Sequence, residues 1–331
     1  NVTSDGGGPI TERGVVYAVT SANANPQVGG SNVVKVPTAG TTGVFTVNAV
    51  GLAAGTGYSF KAYAINSVGT THTSATGTFT TLAAPTVTTP TAASITSIGA
   101  TLGGNVTSDG GSPITARGIV YAAASTNSEP VIGGPGVNTA PGSAATGVFA
   151  LPVTGLSPGT LYAFRAFATN AVGTTYTTPA TTFTTLAAPT VTTPSASAIT
   201  STTATLGGNV ASDGGSAILE RGIVYSQTST NDNPLLNGAG VTKLVGTGTT
   251  GSFTVAATSL ITGTGYSFKA YATNAVGTTY TTAETFTTLA VPSVTSPTSS
   301  AVTSVAATLG GNVTSDGGAS ITERGVVYSV T

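Results

Sequence analysis

An all-β chain of tandem β-sandwiches, each with about seven strands, is predicted by three features of these 331 residues. A long internal repeat runs through the sequence. Short strand-like segments alternate with turn residues, and no 11-residue window carries helical periodicity between caps. The string NVTSDGG or a near copy begins at Asn1, Asn105, Asn209 and Asn312, spaced 104, 104 and 103 residues. A second marker, TFTTL, ends at Leu82, Leu186 and Leu289, spaced 104 and 103. Two unrelated markers with one period define tandem copies, and a length of about 100 residues suits a domain with its own core. The predicted organisation is a partial repeat 1–82 that lacks its N-terminal strands, complete repeats 83–186 and 187–289, and a partial repeat 290–331 with first strands only. Residues 1–20 realign onto 312–331 with three differences. With no Met at position 1, the expectation is a segment cut from a longer array.

Within 83–186 the elements follow in order. Pro85 to Pro90 (PTVTTP) is a short Pro-flanked segment suited to a sheet edge. Gly99 to Val106 is the next strand, its paired glycines marking a bulge or a close backbone approach. Ser108-Asp109-Gly110-Gly111 is turn chemistry, since Asp bonds its own backbone and Gly accepts positive φ. Ile114 to Ala123 is a third strand. Ser125 to Thr146, with four Gly and three Pro, is loop plus a weak strand. Gly147 to Val153, Leu161 to Thr169 and Thr174 to Thr185 complete the set. The strand from Leu161 alternates most clearly: Tyr162, Phe164, Ala166 and Ala168 share one face, and Ala163, Arg165, Phe167 and Thr169 the other. Burying Arg165 without a partner is costly, so the first face is the predicted core. The sister sets are Tyr58, Phe60, Ala62, Ala64 and Tyr266, Phe268, Ala270, Ala272.

Composition excludes several functions. Nine Lys+Arg against ten Asp+Glu make 6% charged residues, where soluble domains average about 25%. A net charge of −1 gives no basic field for nucleic acid. Without Cys there is no disulfide scaffold, thiolate metal site or thiol nucleophile. No apolar run reaches the length of a membrane span, and the first residues do not resemble a signal peptide.

GLSPGTLYAFRAFATNAVG (Gly155 to Gly173) resembles the tyrosine-corner strand of fibronectin type III domains: Leu156 and Pro158 precede Tyr162, alternating core residues follow, and an Asn-x-x-Gly turn closes it. With Thr200 to Gly215 and ERGIVYS (Glu220 to Ser226), the chain is similar to fibronectin-III-like (Ig-like) tandem repeats of very large surface and secreted proteins of Bacteroidota-type bacteria. The corner segments at Leu52 to Gly55 and Leu260 to Gly263 lack the Pro. The resemblance implies an extracellular or cell-surface location and a role in spacing, adhesion or filament building, with no chemistry of its own.

Candidate sites are few. Gly246 to Gly251 fits G-x-G-x-x-G, but a β pattern follows where a dinucleotide site needs a helix, so a hairpin loop is expected. His72 stands where other repeats carry Tyr176 and Tyr280, which points to packing and not to a metal. Asp5, Asp109, Asp213 and Asp316 recur in the S-D-G-G turn without the further carboxylates calcium requires. Asn1, Asn105 and Asn312 open N-V-T sequons, and Asn209 does not; a strand-end Asn beside a turn accounts for all four. No carboxylate pair recurs and no Ser/His/acid set can be assembled, so no catalysis, cofactor or metal is expected. The outward residues of the corner strand, Lys61, Tyr63, Arg165, Phe167, Lys269 and Tyr271, have two readings. They pack within the sheet, or they form an inter-chain contact repeated every 104 residues.

The connector TLAAPTVTTP (Thr81 to Pro90), repeated at Thr185 to Pro194, restricts φ and should run extended and semi-rigid. End-to-end sandwiches of roughly 35–40 Å each would make three units about 110–120 Å long. The favoured function is a structural extender or filament segment, with copies of the chain or surface ligands as partners and neither nucleic acid nor membrane span. The alternative is an adhesin array binding glycan or a surface protein. The three loops PQVGGSNVVKVPTAGTTG, PVIGGPGVNTAPGSAATG and PLLNGAGVTKLVGTGTTG contain no Trp, Tyr or Arg, which argues against sugar sites there.

Overall fold

The computed structural model describes residues 1–329, which are all-β and divide into two compact units. The first comprises Asn1–Ile95, Gly99–Gly155 and Leu161–Thr184, and the second Thr96–Ile98, Leu156–Thr160 and the residues from Thr185 on.

The first unit opens with β1 (Glu12–Val19), β2 (Val34–Thr38), β3 (Gly57–Ile65), β4 (Thr70–His72) and β5 (Gly77–Thr80). These form one antiparallel sheet in the order β2-β1-β3-β4, with β5 also pairing β3. Then come β6 (Thr86–Ala93), β7 (Gly99–Ser108), β8 (Ala116–Ala123), β9 (Asn138–Gly142), β10 (Gly147–Thr154), β11 (Leu161–Thr169), β12 (Thr174–Tyr176) and β13 (Thr181–Thr184). They make a three-stranded sheet β10-β7-β6 and a second sheet β12-β11-β8-β9 in which β13 also pairs β11. Three strands face five, β12 and β13 following one another along the same edge of β11, and the chain crosses between sheets from β9 to β10. This is the strand order of a fibronectin-III-like sandwich.

The second unit repeats the plan with β14 (Thr190–Ser197), β15 (Ala204–Ser212), β16 (Glu220–Gln227), β17 (Thr242–Gly246), β18 (Gly251–Ala257), β19 (Gly265–Thr273), β20 (Thr278–Tyr280) and β21 (Glu284–Thr287). Its sheets are β14-β15-β18 and β17-β16-β19-β20, with β21 on β19. A hairpin of β22 (Ser293–Ser300) and β23 (Thr308–Ser315) follows.

The core lies between the two sheets, and the alternation from Leu161 predicts its face: Tyr162, Phe164, Ala166 and Ala168 are buried, as are Tyr266, Phe268, Ala270 and Ala272. The paired glycines of the second strand are explained by close approach. A Cβ on Gly104 would stand 2.5 Å from Ala166 Cβ, and one on Gly208 would stand 2.4 Å from Ala270 Cβ. Two small residues facing each other let the sheets touch.

Two details differ from the sequence reading. The segment from Thr174 is two strands, because the hydroxyl of Thr177 takes the Ala166 N–H at 3.1 Å and interrupts the ladder. The same substitution occurs at Thr281 and Ala270, also at 3.1 Å. The Pro-flanked edge segment runs on to Ala93 across a bulge between Thr88 and Thr91, with Thr89 at φ 47°.

Candidate functional site: the covered sheet face and the connector

The corner strand carries a tyrosine whose hydroxyl reaches back five residues. Tyr58 Oη accepts the Ala53 N–H and Tyr266 Oη the Ile261 N–H, both at 2.9 Å. Absence of the Pro at these two corners therefore does not undo them.

The opposite face of that strand corrects the inter-chain reading. Tyr63, Phe167 and Tyr271 are 2%, 3% and 0% exposed, and Lys61 is buried as well, so these groups are not surface anchors. Arg165 and Lys269 are half-buried. The reason is the glycine on the adjoining strand. A Cβ on Gly14 would lie 2.9 Å from Tyr63 Oη, and one on Gly118 or Gly222 would lie 3.0 Å from the ring of Phe167 or Tyr271. Each ring lies across the bare backbone that its glycine leaves, and shields it. Arg165 in turn extends over the Tyr176 ring, 5.3 Å from its centroid. Its Nε donates to Thr177 O at 2.7 Å, and Nη1 stands 3.3 Å from Glu129.

Two of the three repeats add a polar tie to this packing. Tyr63 Oη donates to Glu12 Oε1 at 2.5 Å, and Lys35 pairs with the same carboxylate at 2.9 Å. Tyr271 Oη donates to Glu220 Oε1 at 2.7 Å, with Lys243 at 2.9 Å. The Tyr63 hydrogen bond, then Lys35, holds Glu12 below the usual carboxylate range; for Glu220 the order is Lys243, then Tyr271. Burial, reinforced by the carboxylate, pushes both phenols up. In the second repeat the three positions are Ala116, Phe167 and Thr139, so the group is replaced as a whole and no polar atom is stranded.

A basic residue outside the candidate set has the most contacts. Arg221 donates from Nε to Thr247 O at 2.8 Å and from Nη1 to Thr249, Thr250 and Gly251 O at 2.9, 3.2 and 2.9 Å. Its guanidinium sits 4.8 Å above the Phe253 ring. Arg13 and Arg117 hold the same carbonyls in their repeats: Thr41, Thr42 and Gly43, and Ala145, Thr146 and Gly147. The Gly246–Gly251 loop thus turns carbonyl oxygens inward on a cation, whereas a phosphate cradle needs N–H donors. The signal was in the sequence: four of nine basic residues (Arg13, Arg117, Arg221, Arg324) stand in one recurring R-G motif.

The S-D-G-G turn and the connector form one joint. Asp109 Oδ1 accepts the Gly111 N–H at 2.9 Å and Ser108 Oγ the Gly110 N–H at 3.0 Å, with both glycines at positive φ. Asp5, Asp213 and Asp316 make the same bond. Gly110 is obligatory here, because a Cβ would fall 2.1 Å from Ala83 O. Asn170 Nδ2 donates to both Ala83 O and Asp109 O at 2.7 Å, and Ala83 N–H donates to Gly110 O at 2.8 Å. Two residues earlier, Thr81 Oγ1 donates to Ala53 O at 2.5 Å and accepts the Thr56 N–H at 3.0 Å. Position 81 is therefore bound to the first repeat and position 83 to the second, and Leu82 between them is held to the first repeat as well, its O accepting the Gly55 N–H at 3.2 Å. The second unit repeats this pattern at Thr185 and Ala187, and at Thr288 and Ala290.

His72 does what tyrosine does elsewhere. Its Nε2 accepts the Val28 N–H at 3.0 Å, as Tyr176 Oη accepts that of Ile132 at 3.2 Å and Tyr280 Oη that of Leu236 at 3.3 Å. Burial, then the charge of Lys61, pulls its pKa down. Asn209 bridges Thr192 and Ser252 across its sheet. Among the described residues no three His, Cys, Asp or Glu cluster as metal ligands, and no helix is long and apolar enough to cross a membrane.

The architecture defines the class: tandem fibronectin-III-like β-sandwiches. No known family and no curated protein matches the sequence. Among solved structures, the crystal structure of chicken CNTN1 FN1-FN3 domains aligns over 86% of this chain and 91% of that one, at 13% identity and a TM-score of 0.30. The fold class rests on the sheets themselves.

Proposed function

We propose that this chain is a structural spacer: a run of self-sufficient sandwiches, set end to end as a stiff rod, that gives reach and mechanical continuity to an extracellular surface or secreted protein of bacterial type. The single observation that carries this reading is the joint at Thr81-Leu82-Ala83. A connector bonded to one repeat at its first two residues and to the next at its third has little freedom to bend. The other features agree. The recurring polar groups are spent on turns, sheet crossings and joints: the S-D-G-G aspartates close their turns, and Glu12 and Glu220 each hold a tyrosine and a lysine. A surface of Thr, Ser, Asn and Gly with little charge lets like neighbours approach at small desolvation cost. Electron microscopy of isolated chains tests the reading, which expects straight particles with three repeats spanning about 110–120 Å; freely jointed beads would contradict it.

A further inference from the structure

On the outer face of the five-stranded sheets one place is filled differently from repeat to repeat. The same strands build this face in all three copies. In the second repeat Arg165 lies over the Tyr176 ring and its Nη1 meets Glu129 Oε2 at 3.3 Å, while Glu129 Oε1 accepts the Ala180 N–H at 3.4 Å. A carboxylate thus sits between a cation and a main-chain donor, beside an aromatic ring. In the first repeat, 104 residues earlier, the cation is Lys61, the ring is His72, and Asn25 stands at the position of Glu129. The carboxylate is gone, and donors without acceptors remain. Lys61 is only 8% exposed, and among the described residues its ammonium makes no hydrogen bond or ion pair. The polar side-chain atoms both sealed from solvent and unpartnered are Arg117 Nε and Ser226 Oγ; the Lys61 ammonium, unpartnered but not sealed, is therefore reachable from outside. His72 Nε2 accepts the Val28 N–H at 3.0 Å, so the neutral ring carries its proton on Nδ1, which finds no acceptor among the described residues. Asn25 is exposed and accepts the Thr76 hydroxyl on Oδ1 at 3.4 Å, which leaves its Nδ2 to donate. Holding a lysine this deep without a counter-charge is costly, and the second repeat shows which charge the place accepts.

We propose that Lys61, His72 and Asn25 bind a single carboxylate from outside the chain, seated where Glu129 sits in the second repeat. Lys61 supplies the charge, and Nζ, Nδ1 and Nδ2 supply the donors. The ligand class is an ionised carboxylic acid; a small free acid and the acid group of a uronic sugar share this chemistry. Lys61 lies too deep for a broad protein surface to meet it, whereas a carboxylate on a narrow carrier reaches it past Asn25. The third repeat has Lys269 and Asn233 at the same positions, but it adds Glu284 opposite Phe268, next to Lys269, where the first repeat has Gly77 opposite Phe60. A like charge there opposes an anion, so the site belongs to the first repeat.

His72 is the sole histidine, so its imidazole signals report on this site alone in NMR titrations of the 331-residue chain. Sodium acetate and sodium glucuronate, added at constant pH and ionic strength, should shift those signals to saturation; glucose and sodium chloride should not. Equal affinities would assign the site to the carboxylate itself, and tighter glucuronate binding to a sugar acid. Lys61→Met should weaken binding roughly tenfold or more, through loss of a charge-assisted contact. Asn25→Glu should abolish it, because the chain then supplies its own carboxylate as the second repeat does. In the mirror experiment, Glu129→Asn should open the place beside Arg165, so that acetate shifts the Ala180 amide, which is silent in the parent. The thermal transition of each variant reports that folding is intact. The inference is overturned by the absence of a saturable shift with either acid, by an equal response to chloride, by an Asn25→Glu chain that binds like the parent, or by an Ala180 amide that stays silent in Glu129→Asn. None of these outcomes touches the spacer reading, which rests on the joint.

Discussion

Arg221 shows how much a single residue carries in a protein with so few charges. It binds four loop carbonyls where the chain crosses between sheets. Arg221→Ala should cost the third repeat about 2–3 kcal/mol in denaturant melts, since charged hydrogen bonds are lost and carbonyls are left unmet. Arg221→Lys should recover little of it, because a point charge cannot span the carbonyl row. The glycines beneath the aromatic rings are equally constrained. Gly222→Ala would place a Cβ 2.1 Å from Leu244 O, so a loss of about 1–3 kcal/mol is expected in the same assay. Titration separates the repeats. Glu12 and Glu220 titrate below their unfolded value, so their contribution is present above about pH 4.3 and is lost as the pH falls through the folded value. His72 is also depressed, and the unfolded chain binds its proton more readily, so the first repeat should weaken as the pH drops below about 6.5. His72→Tyr should remove that step near neutrality and leave the acid step. The second repeat, with Ala116 and Phe167, should show neither.

At the scale of the element, a natural comparison separates strand propensity from strand pairing. ERGVVY occurs at Glu12 to Tyr17 and again at Glu323 to Tyr328. The first copy is β1, between β2 and β3, with Val16 fully buried; the second is in no strand, and Val327 is 99% exposed. Identical residues form a strand only where two partners accept their main chain and a facing sheet takes their side chains. Hydrogen exchange checks the pairing of β1: the amides of Val15 to Tyr17, between two partner strands, should be protected. The same physics sets what could be read from sequence. Register and core face were legible at Leu161 to Thr169, because a period of two and one costly arginine admit one solution. The fate of Phe167 and its sisters was not, because what covers them lies on another strand: a glycine about fifty residues away in sequence. Covariation across repeats was the available sign, with Glu and Tyr in two repeats exchanged for Ala and Phe in the other. The arginine cage needed the crossing loop to be placed before its carbonyls could be seen to converge.

For the whole molecule, the proposal depends on the joint. Asn170 satisfies two carbonyls, Ala83 O and Asp109 O, from a nearly fully buried position. Asn170→Ala should cost about 1–3 kcal/mol and loosen the connector's hold on the repeat that follows it, leaving the Ala83 N–H bond to Gly110 O. The proposed spacer role requires stiffness, and stiffness requires that successive sandwiches share bonds and not just a tether. Small-angle scattering of the chain, extrapolated to infinite dilution, measures this most directly. A rod of about 110–120 Å has a radius of gyration of roughly 32–35 Å, and Asn170→Ala with Asn274→Ala should broaden the distance distribution. A radius near 20 Å, the value for a compact chain of this length, would contradict the account.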